Sequence, residues 1–300
     1  MSESSHRFFA GKRLFVAGCG YVGREVARRG IKLGLSVTAL TRNPAKAADL
    51  QAEGICTIVA DLADESWHDQ LPAEIDFVLN SVSSGGGGVE GYRRSYYEGM
   101  ASILKWAAQA KVGTCVYTSS TSVYPQGDGA TVDETAPLGE PADERTQWLI
   151  KTEALLREST AVGRSFILRL AGIYGPGRHH VLDQIRAGGA LPGNGEHRLN
   201  LIHRDDAAAA VWTAFGAAPE VGSAVYNVAD DHPVAKAAFA TWVAAQLGQD
   251  APQFDPTLPS RRRRVVPDRV IRNAKIKQEL GWQPRYPDYR AGYTEILATL

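Results

Sequence analysis

Short apolar runs alternate with stretches of helical period through the first half of the chain. The runs at 13–17, 36–41, 55–60, 77–81 and 114–118 are nearly continuous in apolar residues and read as strands. Between them, apolar positions recur three and four apart over 22–33, 44–52, 66–71 and 94–110. A further helical stretch at 145–158 leads to a sixth apolar run at 165–170. Continuous apolar strands separated by helices predict an α/β fold, a doubly wound parallel sheet with helices on both faces. After Gly172 the pattern becomes irregular, with turns at Gly175-Pro176-Gly177, Gly188-Gly189 and Pro192-Gly193. Helical periods return at 205–215 and 234–247, followed by a Pro- and Arg-rich segment and two short helices. We expect two units, 1–172 and a smaller 173–300, with a strand at 224–228 returning to the main sheet.

The first strand runs straight into Gly18-Cys19-Gly20-Tyr21-Val22-Gly23 and then into a helical pattern. Gly18 allows a tight turn, Gly20 lets the backbone approach a pyrophosphate, and Gly23 lets the helix pack on the strand. The free N–H groups and positive dipole end of that helix then face an anion. Strand, G-x-G-x-x-G and helix in this order define a dinucleotide-binding turn. Acidic residues at the end of the second strand hold the ribose 2′-hydroxyl of NAD. Here that strand ends Leu40-Thr41-Arg42-Asn43, without a carboxylate. Arg42 suits a 2′-phosphate, so NADP is expected, with NAD the alternative. An Arg opening an exposed loop is also an ordinary surface residue. Asp61-Leu62 follow the third strand, where the carboxylate either meets the adenine amino group or serves as a turn cap.

Composition narrows the partners. Thirty-three Lys and Arg balance thirty-three Asp and Glu, so no net field favours nucleic acid or a membrane surface. Three hundred residues suffice for a stable core without staples. The three cysteines, Cys19, Cys56 and Cys115, lack paired spacing and read as small core residues in a reducing compartment. The first six residues are polar and no apolar run reaches bilayer length, so a cytoplasmic protein is expected. His179-His180 follow Gly-Arg in a loop with no third ligand at metal spacing, so no metal is expected.

Val116-Tyr117-Thr118-Ser119-Ser120-Thr121-Ser122-Val123-Tyr124 resembles the fifth-strand motif of extended short-chain dehydrogenases/reductases, the NAD-dependent epimerase/dehydratase family. Leu168 to Arg178, Asn200 to Ala207, Tyr226 to Asp231, and Asn273-Ala274-Lys275 with Glu279 to Trp282 resemble its later landmarks, in the family's order. The resemblance implies a Rossmann domain with a smaller substrate-binding domain, NAD(P), and a nucleotide-sugar or related hydroxy/keto substrate. It also implies a homodimer through the fourth and fifth helices. Expected cofactor contacts are Gly18, Gly20, Tyr21, Val22 and Gly23, then Thr41, Arg42, Asp61 and Leu62, and then Ser81, Val82 and Ser119. Expected substrate contacts are Arg178, Arg198 and His203, although His203 also suits a helix cap. Arg261-Arg262-Arg263-Arg264 reads as a phosphate clamp or a solvated loop. Gly85-Gly86-Gly87-Gly88 reads as a lid or a tolerated loop.

Catalysis in that family uses a hydroxyl after the fifth strand, here Ser120, and a Tyr-x-x-x-Lys on the next helix. Thr121-Ser122 stand where the dehydratase subset carries Asp-Glu, which argues against a dehydratase of that type. The Tyr-x-x-x-Lys itself is missing. Lys151 has Gln147 four residues before it, and registering on Thr152-Glu153 places Arg145 and Leu149 at the Tyr and Lys positions. Tyr96, with Tyr97 beside it, stands where the family has an asparagine in its fourth helix. Candidate catalytic residues are therefore Ser120, Lys151, Tyr96 and Tyr97. Tyr124, Tyr174, His179, His180 and His203 also border the expected cleft, with packing and capping as their ordinary roles. These departures, and Ala17 in place of a first glycine, match the atypical branch. The expected function is an NAD(P)-dependent oxidoreductase or epimerase; the alternative is an NADP(H)-binding sensor.

Overall fold

The computed structural model describes residues 3–140, 143–258 and 267–300. Seven parallel strands form the central sheet: β1 (Arg13–Ala17), β2 (Ser36–Thr41), β3 (Cys56–Val59), β4 (Glu74–Asn80), β5 (Lys111–Ser120), β6 (Arg164–Leu170) and β7 (Ala224–Val228). Their spatial order is β7-β6-β5-β4-β1-β2-β3, so the order reverses between β1 and β4. Crossover helices on opposite faces leave a crevice at that switch point, beyond the carboxyl ends of the strands. This is the doubly wound fold that the alternation predicted, and strand 224–228 pairs in parallel with β6 from Ala224↔Phe166 to Val228↔Leu170.

Both faces of the sheet are apolar, which explains the absence of polar alternation. Leu14 and Val16 point to one face, where α2 (Tyr21–Lys32) and α8 (Arg204–Phe215) supply Val26, Trp212 and Phe215. Phe15 and Ala17 point to the other, against Trp67, Met100, Trp106 and Leu156. A third apolar cluster joins Leu182 and Ile185 to Phe239, Val243, Tyr289 and Tyr293. Those residues come from α7 (His180–Ala187), α9 (Lys236–Gln246) and α11 (Tyr289–Leu297).

Several expectations are corrected. Residues 66–71 give only a 3₁₀ turn at His68–Gln70. The helix expected over 94–110 starts earlier and is not regular throughout: α4 (Gly88–Tyr92) and a π-helical turn (Arg93–Glu98) precede α5 (Gly99–Ala107). Gly91 in α4 lies close to the preceding loop, since a Cβ there would lie 2.5 Å from the Ser84 carbonyl oxygen. Helix α9 begins at Lys236 because Val234–Ala235 pair antiparallel with Arg198–Leu199. Residues Glu3–Phe9 form a helix, α1, rather than a plain polar tail, since Phe9 buries its ring against Phe77 and Trp212. Cys56 is exposed rather than a core residue, because β3 is the edge strand. The Arg261–Arg264 run lies outside the described residues.

Candidate cofactor and active site

The glycine turn sits where β1 meets α2 at the switch point. Gly18 has φ +81°, and a Cβ there would lie 2.5 Å from the Val82 nitrogen and 2.6 Å from the Ser81 carbonyl. Only glycine fits both demands. A Cβ on Gly23 would lie 2.5 Å from Gly18 O, so this glycine sets the close approach of helix and strand. Gly20 differs: the nearest atom to its would-be Cβ is Gly18 O at 3.9 Å, an ordinary van der Waals separation. No side chain caps α2 at Gly20, and its first turn carries no acidic residue. An open, uncapped, acid-free helix start fits the diphosphate of a dinucleotide.

The flanking positions come from three neighbouring strand ends. Thr41 is buried and its Oγ1 accepts from Asn43 N–H at 3.3 Å. Arg42 is half-exposed, with its guanidinium 3.8 Å from Asp61 and against Gly85. Asp61 accepts from Ala63 N–H at 3.0 Å and from Arg94 Nε at 3.0 Å. It therefore serves as a turn cap and an ion-pair centre. Leu62 is buried, and its carbonyl accepts from the Trp67 indole at 3.1 Å. Ser81 Oγ accepts from Thr118 at 3.1 Å, and Val82 N–H donates to Asn80 Oδ1 at 3.4 Å. Val22 is a core residue, so only its backbone faces the turn. Tyr21 donates its hydroxyl to Pro176 O at 2.9 Å, tying the turn to the segment that carries Arg178. Arg178 and Arg204 both stand over the Tyr21 ring, at 5.5 and 5.4 Å.

Ser120 ends β5 and accepts from Ser122 N–H at 3.1 Å. Its neighbour Ser119 points to the opposite face and donates to Glu153 at 2.5 Å. Glu153 is fully buried and paired with Arg169, whose Nη2 lies 2.6 Å away. Arg169 Nη1 donates to the Tyr124 hydroxyl at 2.8 Å, which donates to Asn227 Oδ1 at 2.8 Å. This buried network spans the carboxyl ends of β5, β6 and β7 and consumes both Ser119 and Tyr124. A second clamp acts from the far end of the chain. Arg269 donates to the carbonyls of Thr121 (3.0 Å), Tyr124 (2.5 Å) and Gln126 (3.2 Å), fixing the turn that follows Ser120. Sequence reasoning passed over both. The available signal was Arg169 inside an apolar strand, a charge that burial requires to be paired.

Lys151 is not brought to the site. On α6 (Glu144–Glu158) it is exposed, with its ammonium 4.5 Å from the Trp148 ring centre. On the same helix Arg145 stands 5.9 Å over Tyr92, and Leu149 is buried in the core. Tyr96 and Tyr97 lie on the π-helical turn, a widened geometry often found at functional sites. Tyr96 packs against Tyr92 at 5.1 Å, and burial raises its hydroxyl well above the usual tyrosine range, opposed by a hydrogen bond to the Ser84 backbone. Tyr97 packs at a tilt against Trp148, with ring centres 5.3 Å apart. His203 is buried between Tyr286 and Tyr174, and its Nδ1 accepts from Asp205 N–H at 3.2 Å, capping α8. Arg198 is paired with Asp268 at 2.9 Å. His179 bonds Asp183 at 3.0 Å, and Tyr174 stacks on Tyr293 at 5.1 Å.

An open glycine turn at the switch point of a doubly wound sheet defines a dinucleotide-binding α/β protein. The model of the NAD dependent epimerase/dehydratase family matches residues 14–229, and the chain belongs to that family. It is 31% identical to Protein YeeZ of Escherichia coli K12 over 293 residues, covering 92% of this chain and 97% of that protein. A solved structure of a functionally unknown conserved protein from Silicibacter pomeroyi is 28% identical, with a TM-score of 0.78, covering 96% and 99% of the two chains. UDP-glucuronic acid 4-epimerase from Bacillus cereus, solved with UDP-glucuronic acid and NAD, shares the fold at a TM-score of 0.79 and 17% identity. That superposition covers 96% of this chain and 99% of the other. No helix among the described residues is long and apolar enough to cross a membrane.

Proposed function

We propose that the protein is an NADP(H)-linked oxidoreductase or epimerase acting on a nucleotide-sugar or a related hydroxy/keto compound. The observation that carries the cofactor choice is the end of β2, where Thr41-Arg42-Asn43 offers no carboxylate to a ribose 2′-hydroxyl. Asp61, the nearby acid, is already held by Arg94 and faced by Arg42. Gly18, Gly20 and Gly23, with the backbone of Tyr21 and Val22, would hold the diphosphate. When bound, the nicotinamide supplies a two-electron hydride donor or acceptor. Ser120 accepts from Ser122 N–H and keeps its own proton to donate to a substrate oxygen, which orients that oxygen. The nucleotide-sugar class is supported by Bacillus cereus UDP-glucuronic acid 4-epimerase, whose fold this chain shares.

Placement of α6 favours a second reading, a cofactor-binding sensor. Its buried positions are Thr146, Leu149, Thr152, Glu153 and Leu156, which hold no Tyr-Lys pair, and Lys151 faces solvent. One experiment separates the two readings. NADPH oxidation and NADP⁺ reduction are followed across a panel of nucleotide-sugars, ketones and alcohols. Turnover that falls about a hundredfold in Ser120→Ala supports the enzyme with Ser120 as its orienting hydroxyl. No turnover despite tight NADPH binding leaves the sensor.

A further inference from the structure

A cavity of about 370 Å³ lies against the glycine turn, lined by Gly20, Tyr21, Arg24, Arg28, Lys46 and Arg204. Its basic side chains come from three separate elements: α2, the first turn of α3 (Pro44–Ala52), and the start of α8. Their charges are unequally compensated. Arg24 and Arg28 share one carboxylate, Glu53. Glu25, the acid on the wall, is turned to Arg29 at 2.8 Å. Arg204 Nε donates to Asp205 at 2.8 Å, and its Nη groups donate to no residue among those described. The Lys46 ammonium pairs with no carboxylate among the described residues, and only its backbone N–H is used, by Asn43 Oδ1 at 3.2 Å. A part-buried cavity with surplus positive charge, opening on an uncapped helix start, is built for a polyanion.

Arg42, the residue the strand-end argument selects for a 2′-phosphate, does not line this cavity. Its guanidinium is turned to Asp61 and Gly85 instead.

We propose that this cavity takes the phosphates of NADP(H), with Lys46 selecting the 2′-phosphate and Arg204 gripping the diphosphate. The proposal rests on the NADP(H) reading above. Tyr21 positions Arg204 by the face of its ring, 5.4 Å from the guanidinium carbon. Lys46 is a point charge at the α3 side of Gly20, while Arg204 approaches from the α8 side. The two cations therefore reach different parts of the same ligand, and their removal has different signatures.

The test is fluorescence titration of the whole protein with NADPH and NADH at one fixed ionic strength, for wild type, Lys46→Met, Arg204→Met and Arg42→Met. Wild type that binds NADH as tightly as NADPH overturns the NADP(H) reading and the role of Lys46 with it. Given a wild-type preference for NADPH, Lys46→Met is expected to lower NADPH affinity about tenfold or more and leave NADH unchanged. Arg204→Met is expected to weaken both ligands by similar factors, and Arg42→Met to alter the ratio less than Lys46→Met. A preference that survives in Lys46→Met but vanishes in Arg42→Met overturns the inference while the reading stands. So does an Arg204→Met protein with wild-type affinity for both. A second probe, 2′,5′-ADP against 5′-ADP, isolates the 2′-phosphate and must show the same Lys46 dependence. Thermal unfolding without ligand confirms that each variant is folded.

Discussion

Two glycines of one turn separate packing from binding. Gly18→Ala forces a side chain onto a backbone at φ +81° and into the Ser81–Val82 peptide, so it should cost stability by several kcal/mol and drop the melting temperature. Gly20→Ala places a methyl at ordinary van der Waals distance, 3.9 Å from Gly18 O, on a backbone of negative φ, −86°. Its melting temperature should stay within about 2 °C of wild type, while NADPH affinity falls because the methyl stands where a phosphate approaches. Loss of stability in both variants would refute this division. Glu153→Gln leaves Arg169 buried without its charge partner and should destabilise by about 3–5 kcal/mol in urea unfolding. The glycine turn was legible because its geometry depends on spacing along the chain. The Glu153–Arg169 pair was not, since sixteen residues and a loop separate its members and only the fold joins them. Lys46 and Arg204 escaped notice for the same reason: each is an ordinary helix-start cation until the cavity between them is seen.

At the scale of elements, the six strands of the first half and the returning strand at 224–228 followed from apolar continuity. What failed was wherever local pattern and tertiary contact disagree. The fourth helical stretch looked uniform in period, yet its start is a π-helical turn, Arg93–Glu98, and that turn carries Tyr96 and Tyr97. The short strand Arg269–Ile271 carried no signal beyond three residues, but it pairs with Ala130–Val132 and clips the Ser120 turn through Arg269. Arg269→Met strips the Thr121 and Tyr124 carbonyls of a charged donor in a buried place. It should cost about 2–4 kcal/mol by denaturant unfolding, and a change below about 0.5 kcal/mol would show that the clip is dispensable.

For the whole molecule, burial also shapes the response to pH. Asp230 is buried, its Oδ2 has no hydrogen-bond partner, and burial pushes its carboxyl up to about 8. An unfolded aspartate titrates near 3.9, so between roughly pH 4 and 8 the folded state holds a proton that the unfolded state has released. Its contribution is fully present below that range and is lost progressively as pH rises to about 8. Asp230→Asn should remove this slope, so its melting temperature should gain on wild type more at pH 8.5 than at pH 5; an equal difference at both would contradict the assignment. The doubly wound sheet places that second-half segment, the Ser120 turn and the glycine turn at the carboxyl ends of its strands. Titration of the wild-type protein with NADPH and NADH decides most directly. The account predicts NADPH bound at least about tenfold more tightly; equal binding, tighter NADH, or no binding of either would contradict it.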